Sequence, residues 1–193
     1  MINLIVSLGG SDILSGNVSF AHSCNIPEKY KNYNIYMMVR NPYDRLVSMY
    51  HYLGIKIIDF IVDDSIIDKA KINKDGVISF KDFVDYLYLS RNIYKELLKE
   101  QDDNSLFGNT SPKIFLRSLT ESYNLCNPKD VIHIEYADND LKRLGFHFPP
   151  IQHIHKTKDR KTTEFKKYFT PEILEVVNTW CLEDAEKFGY EPL

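Results

Sequence analysis

The chain has 193 residues, of which 44% are hydrophobic and 26% charged, with 13 Tyr and 11 Phe and a net charge of −3. That length buries a core without help from disulfides, so a single domain spanning 1–193 is expected. The acidic balance argues against a nucleic-acid partner, and no window reaches the ~18–20 consecutive apolar residues of a membrane span.

Residues 2–8, "INLIVSL", form a short apolar run ending at Gly9-Gly10, the pattern of a buried parallel strand followed by a tight turn. The opening "MINLIVSLGG" has no basic leader and too short an apolar stretch for a signal peptide, so a cytoplasmic location is expected. "NIYMMV" (34–39) is a second buried strand. A helix follows it: Asn41 caps, Pro42 suits the first helical position, and Asp44 complements the dipole. Leu46, Val47, Tyr50 and Leu53 give this helix an apolar stripe.

After Gly54 comes a polar stretch, then "SFKDFVDYLYLS" (79–90) with helical spacing. The loop-like "EQDDNSLFGNTSP" (100–112) precedes "IFLRSL", which is ambiguous between strand and short helix. "VIHIEY" (131–136) alternates as a strand, with a helix over 137–144 stopped by Gly145. Segment 153–167 concentrates six Lys/Arg against two acids. The final helix, "TPEILEVVNTWCLEDAEKFGY", opens with Thr170 as cap and Pro171 behind it. Strands alternating with helices predict an α/β fold, a parallel β-sheet flanked by helices. Cys24, Cys126 and Cys181 follow no metal-like spacing and read as buried free thiols in a reducing compartment.

The junction "YMMVRNPYDRLVSMYHYL" (36–53) places Arg40 at a strand end and Ser48 on the second turn of the helix. A strand entering a helix offers backbone amides and a positive dipole end to an anion, and the guanidinium and hydroxyl would grip the same phosphate. Alternatively, Arg40 pairs with a nearby acid and Ser48 is an ordinary surface residue. "VRNPYDRLVSMYHYL" resembles the segment of sulfotransferases that binds the 3′-phosphate of 3′-phosphoadenosine 5′-phosphosulfate (PAPS), with Arg40 and Ser48 in the two phosphate-holding places. Its Asn-Pro-aromatic-x-Arg-Leu-x-Ser-x-Tyr form is closest to the carbohydrate sulfotransferases. "IEYADNDLKRLGF" and the closing aspartate-to-"FGY" helix resemble later parts of that family. The resemblance implies a P-loop-NTPase-like sulfotransferase fold, PAPS as co-substrate, no metal, and a glycan or other hydroxyl-bearing acceptor.

Sulfuryl transfer needs a phosphate grip, a cation near the leaving oxygen and a base for the acceptor hydroxyl. His22, eighteen residues before Arg40, is the candidate catalytic base, because some members of the resembled family carry a His on the preceding strand. Glu28 is a weaker substitute. The family's 5′-phosphosulfate loop normally carries a Lys followed by Thr or Ser. Here Gly9, Gly10 and Ser11 offer such a turn, but Ser7 stands where the Lys is expected and Asp12 adds negative charge. The loop is degenerate, or the N-terminus is abbreviated, or other cations take over. Lys156, Lys158 and Arg160 are the candidates for that role; an exposed charged loop is the alternative.

Two further patterns are set aside. His153 and His155 lack a third metal ligand nearby. "KINKDGVISFKD" (71–82) echoes a calcium loop but has Lys71 and Asp82 where an acid and a bidentate Glu are needed, and is expected to be a turn before the helix at 80. Three readings remain open: a PAPS-dependent sulfotransferase, a catalytically impaired nucleotide-binding or assembly module on the same scaffold, and a kinase-like phosphotransferase. The last lacks both the Lys-Ser/Thr loop and a metal-holding acid.

Overall fold

The computed structural model of the chain describes residues 3–7, 18–21, 32–53, 78–96, 99, 116–146 and 162–193. Four strands, β1 (Asn3–Ser7), β2 (Val18–Ala21), β3 (Asn34–Val39) and β4 (Asp130–His133), form one parallel sheet in the order β2-β1-β3-β4. The chain steps outward from β1 to β2 and then returns past β1 to β3. The strand order therefore reverses between β1 and β3, the place where open parallel sheets take their ligands at the carboxyl ends. Ser7 pairs with Ala21 on one side and Met38 on the other, and Val39 pairs with His133, so the four strand ends lie nearly level.

Alternation along β3 explains why both faces of the sheet are covered. Met37 and Val39 pack with Leu119, Cys126 and Phe188 from α3 (Leu119–Cys126) and α5 (Pro171–Phe188). Tyr36 points the other way, with Ile132, onto Leu141 of α4 (Ala137–Arg143) and onto Phe146, whose ring meets Tyr36 edge-on at 5.2 Å. A larger core joins α1 (Pro42–Leu53), α2 (Phe80–Ile93) and α5 through Tyr43, Val47, Phe83, Val84 and Val177, all fully buried. A 3-10 helix, Thr162–Tyr168, lies against α1: Tyr168 packs on Phe80 at 5.2 Å and donates or accepts a hydrogen bond with His51 at 2.9 Å.

The ends of the elements follow local chemistry. Ser79 caps α2 through the Asp82 N–H, so the calcium-like stretch runs into a helix start at Phe80 as expected. Thr170 caps α5, Pro171 stands at its start, and Gly189 closes it in the left-handed region at φ 73°. Two expectations change. The expected strand over 131–136 is β4 only to His133, followed by a 3-10 turn, Ile134–Tyr136, because the Asp140 carboxylate takes both the His133 N–H (2.8 Å) and its ring nitrogen. The ambiguous "IFLRSL" leads into α3, started by a reciprocal cap: Ser118 Oγ accepts the Glu121 N–H at 3.0 Å, and Glu121 accepts the Ser118 N–H at 2.6 Å.

Candidate active site at the carboxyl end of the sheet

Arg40 follows the last residue of β3, beside the reversal in strand order. Its Nε donates to the Asp44 carboxylate four residues on, and the Asp44 side chain is only 5% exposed against 21% for Arg40. Ser48, half-buried, is one further turn along α1. Side chains four apart on a helix are neighbours, so Asp44 and Ser48 share one flank of α1, and Arg40, which precedes the helix, reaches that flank through its bond to Asp44. Of the two expected alternatives for Arg40, the pairing with a nearby acid is present. It runs through Nε alone; among the described residues its terminal nitrogens make no hydrogen bond and keep the planar fork that suits phosphate.

The backbone part of the expected grip needs correction. Asn41 Oδ1 accepts from the N–H of Tyr43 (3.1 Å) and of Asp44 (3.2 Å), and Pro42 has no N–H to give. The Asn41 N–H itself goes to Glu135 Oε1 at 2.9 Å. The start of α1 is thus already capped, and an anion there would have to be held by side chains. Arg40 and Asp44 together carry no net charge, so a doubly charged phosphate requires further cations.

Around this junction lies a network that sequence reasoning missed. Glu135 Oε2 accepts from the Tyr190 hydroxyl at 2.8 Å, tying the residue after Gly189 to the 3-10 turn that follows β4. Burial first, and the neighbouring Glu135 charge second, push the Tyr190 hydroxyl far up from its ordinary pKa, so it stays a donor. The His133 ring contacts Asp140 through Nδ1 (2.8 Å) and the Phe188 carbonyl through Nε2 (3.0 Å). Asp140 is pushed up by burial, but the His133 N–H and ring, with Arg143, outweigh that and hold it below its usual range. The Asp44 signal was available as an i,i+4 acid; the Glu135 contact spans 94 residues and was not.

The aspartate of the closing motif is structural. Asp184, 1% exposed, accepts the N–H groups of Leu119 and Thr120, each at 2.7 Å, and so caps α3 from α5. A cavity about the size of one water molecule separates α1 from α2 and α5, lined by Arg45, Met49, Arg91, Trp180 and Asp184. It opens on the other flank of α1 from Ser48 and is too small for a nucleotide.

Of the other expected site residues, Gly9, Gly10, Ser11, His22, Lys156, Lys158 and Arg160 lie outside the described residues, as do Glu28, His153 and His155. Their neighbours fix only where the chain enters: β1 ends at Ser7 and β2 at Ala21, both at the Arg40 end of the sheet. Ala21 is two strand spacings, ~9–10 Å, from Met38. Cys126 and Cys181 are buried free thiols. Among the described residues no group of three His, Cys, Asp or Glu is placed to hold a metal, and no helix is long and apolar enough to cross a membrane.

A family model described as the sulfotransferase family matches residues 14–103, a span that contains β2, β3, α1, Arg40 and Ser48. Over that span, somewhat less than half of its length, the chain is similar to the sulfotransferase family. The parallel sheet with helices on both faces is consistent with that family's fold, and sulfuryl transfer is its chemistry. No curated protein and no solved structure gives a significant match to the chain.

Proposed function

We propose that the protein transfers a sulfuryl group from PAPS to a hydroxyl, in keeping with the carbohydrate-type form of its Arg40–Ser48 motif, with a glycan as acceptor. The observation that carries this reading is the Arg40–Asp44 pair beside the β1/β3 reversal, on the flank of α1 that also holds Ser48, with no hydrogen bond to the terminal nitrogens of Arg40 among the described residues. Asp44 orients the guanidinium, the two terminal nitrogens of Arg40 meet the 3′-phosphate, and Ser48 donates its hydroxyl from the next turn. Because the Arg40–Asp44 pair is neutral, Lys156, Lys158 and Arg160 supply the remaining positive charge, one of them at the leaving oxygen in place of the missing loop lysine. Gly9, Gly10 and Ser11 follow β1 at the reversal and line the 5′ side with backbone. His22, directly after β2, takes the acceptor proton.

A second reading is favoured by Ser7, the last residue of β1, standing where the loop lysine is expected: a nucleotide-binding module without turnover. Transfer of radiolabelled sulfuryl groups from PAPS to a panel of glycans separates the two. Labelled glycan that disappears in Arg40→Ala supports the enzyme; nucleotide binding with no labelled product on any acceptor supports the module.

A further inference from the structure

The strand pairing between β3 and β4 has a constant offset of 94 residues, last seen in the backbone at Val39 and His133. Two positions further along that register stand Asn41 and Glu135, again 94 apart, where β4 has already turned into the 3-10 helix. Glu135 Oε1 accepts the Asn41 N–H there, replacing with a side chain the ladder bond that the backbone no longer makes. Arg40 lies between these two links and is held on both sides. Tyr190 fixes the other oxygen of Glu135, and His133 fixes the Phe188 carbonyl, so the closing "FGY" stretch is fastened at alternate residues to the end of β4 and to the 3-10 turn after it. The Arg40 charge is close enough to act on the Tyr190 hydroxyl, favouring its ionised form against the larger effects of burial and Glu135.

We infer that Glu135 and Tyr190 are positioning residues for the nucleotide site: they fix the backbone on either side of Arg40 so that its guanidinium is presented to the 3′-phosphate. This rests on the reading of Arg40 as the phosphate grip. The role belongs to hydrogen bonding and not to charge. Gln at 135 offers an oxygen to the Asn41 N–H and an amide to the Tyr190 hydroxyl, and therefore preserves the arrangement. Glu135 is exposed, so water replaces it at the amide without unfolding the protein.

Titration calorimetry with 3′-phosphoadenosine 5′-phosphate tests this on the wild type, Glu135→Ala, Glu135→Gln, Tyr190→Phe and Arg40→Ala, alongside exchange of the Asn41 amide hydrogen. Glu135→Ala is expected to weaken binding about fivefold and to speed Asn41 exchange. Tyr190→Phe should weaken binding about threefold, and Glu135→Gln should bind within about twofold of wild type. Melting temperatures of all three should stay close to wild type. If wild type binds and Arg40→Ala does not, but Glu135→Ala binds like wild type, the positioning role is overturned while the phosphate grip stands. A Glu135→Gln variant as weak as Glu135→Ala would also overturn it, because charge would then be the cause. If wild type itself fails to bind, the underlying reading falls and this inference with it.

Discussion

Replacing Asp184 by Ala isolates the contact that joins α3 to α5. Both carboxylate oxygens are occupied by backbone N–H groups of the first turn of α3, at 2.7 Å each, in a region where Leu119 is wholly buried. Removing the acceptor leaves two N–H donors without partners, at about 1–3 kcal/mol each, and strips a negative charge from a helix start, about 0.3–1 kcal/mol. Against this, burial already pushes the Asp184 carboxyl up from its ordinary pKa, so the variant recovers part of that desolvation cost. A net loss of about 3 kcal/mol results, which for a chain of this size lowers Tm by about 6–12 °C. Asp184→Asn keeps one acceptor and turns an amide N–H towards the second donor, so it should fall between the two, about 1–2 kcal/mol below wild type. Urea unfolding and calorimetry at neutral pH measure both variants. A drop below about 1 °C for the Ala variant, or an Asn variant less stable than Ala, would refute the idea that these two hydrogen bonds hold the helices together.

Three further outcomes follow from the same structure. Gly189→Ala forces a side chain into the left-handed region at φ 73°, where nothing lies within contact distance of the added methyl, so backbone strain alone should cost about 1–2 kcal/mol in chemical denaturation. Arg143 hydrogen-bonds the Asp130 carboxylate and holds it below its usual range, a gain present above the unfolded pKa of about 3.9 and lost as pH falls through the lower folded value. The stability difference between wild type and Arg143→Ala should therefore shrink as pH is taken from about 5 to below about 3, and a gap that widens on acidification would contradict this. His22→Ala should cut the sulfuryl-transfer rate by about 10²-fold or more while leaving nucleotide affinity nearly unchanged; a matching loss of affinity would remove His22 from the role of base.

How much was legible in the chain can be judged from particular segments. "NIYMMV" and the Asn41-Pro42 start gave β3 and α1 directly, because a short buried run and a cap-proline pair have few other solutions. Thr170-Pro171 and Gly189 bounded α5 equally well. The start of α3 is encoded by Ser118 and Glu121 at capping-box spacing, but the apolar "IFLRSL" that contains Ser118 fits a strand as well as a short helix, so local pattern alone left it ambiguous. At the site, the expectation that the amides of α1 stand open to an anion conflicts with the Asn41 cap that the same stretch encodes. Capping and anion binding use the same N–H groups. The Glu135 and Tyr190 contacts depend on the register between β3 and β4, which is set by tertiary pairing and leaves no trace in local spacing.

The central claim is that Arg40, aided by Ser48, recognises a phosphate on the ribose 3′ position. Calorimetric affinities for 3′-phosphoadenosine 5′-phosphate and for adenosine 5′-monophosphate, taken in wild type and Arg40→Ala, isolate that single phosphate. Wild type should favour the bisphosphate by about 10–100-fold, the worth of a bidentate charge-assisted contact, and the preference should vanish in Arg40→Ala. Equal affinity for the two nucleotides in wild type, or a preference that survives loss of the guanidinium, would contradict the account.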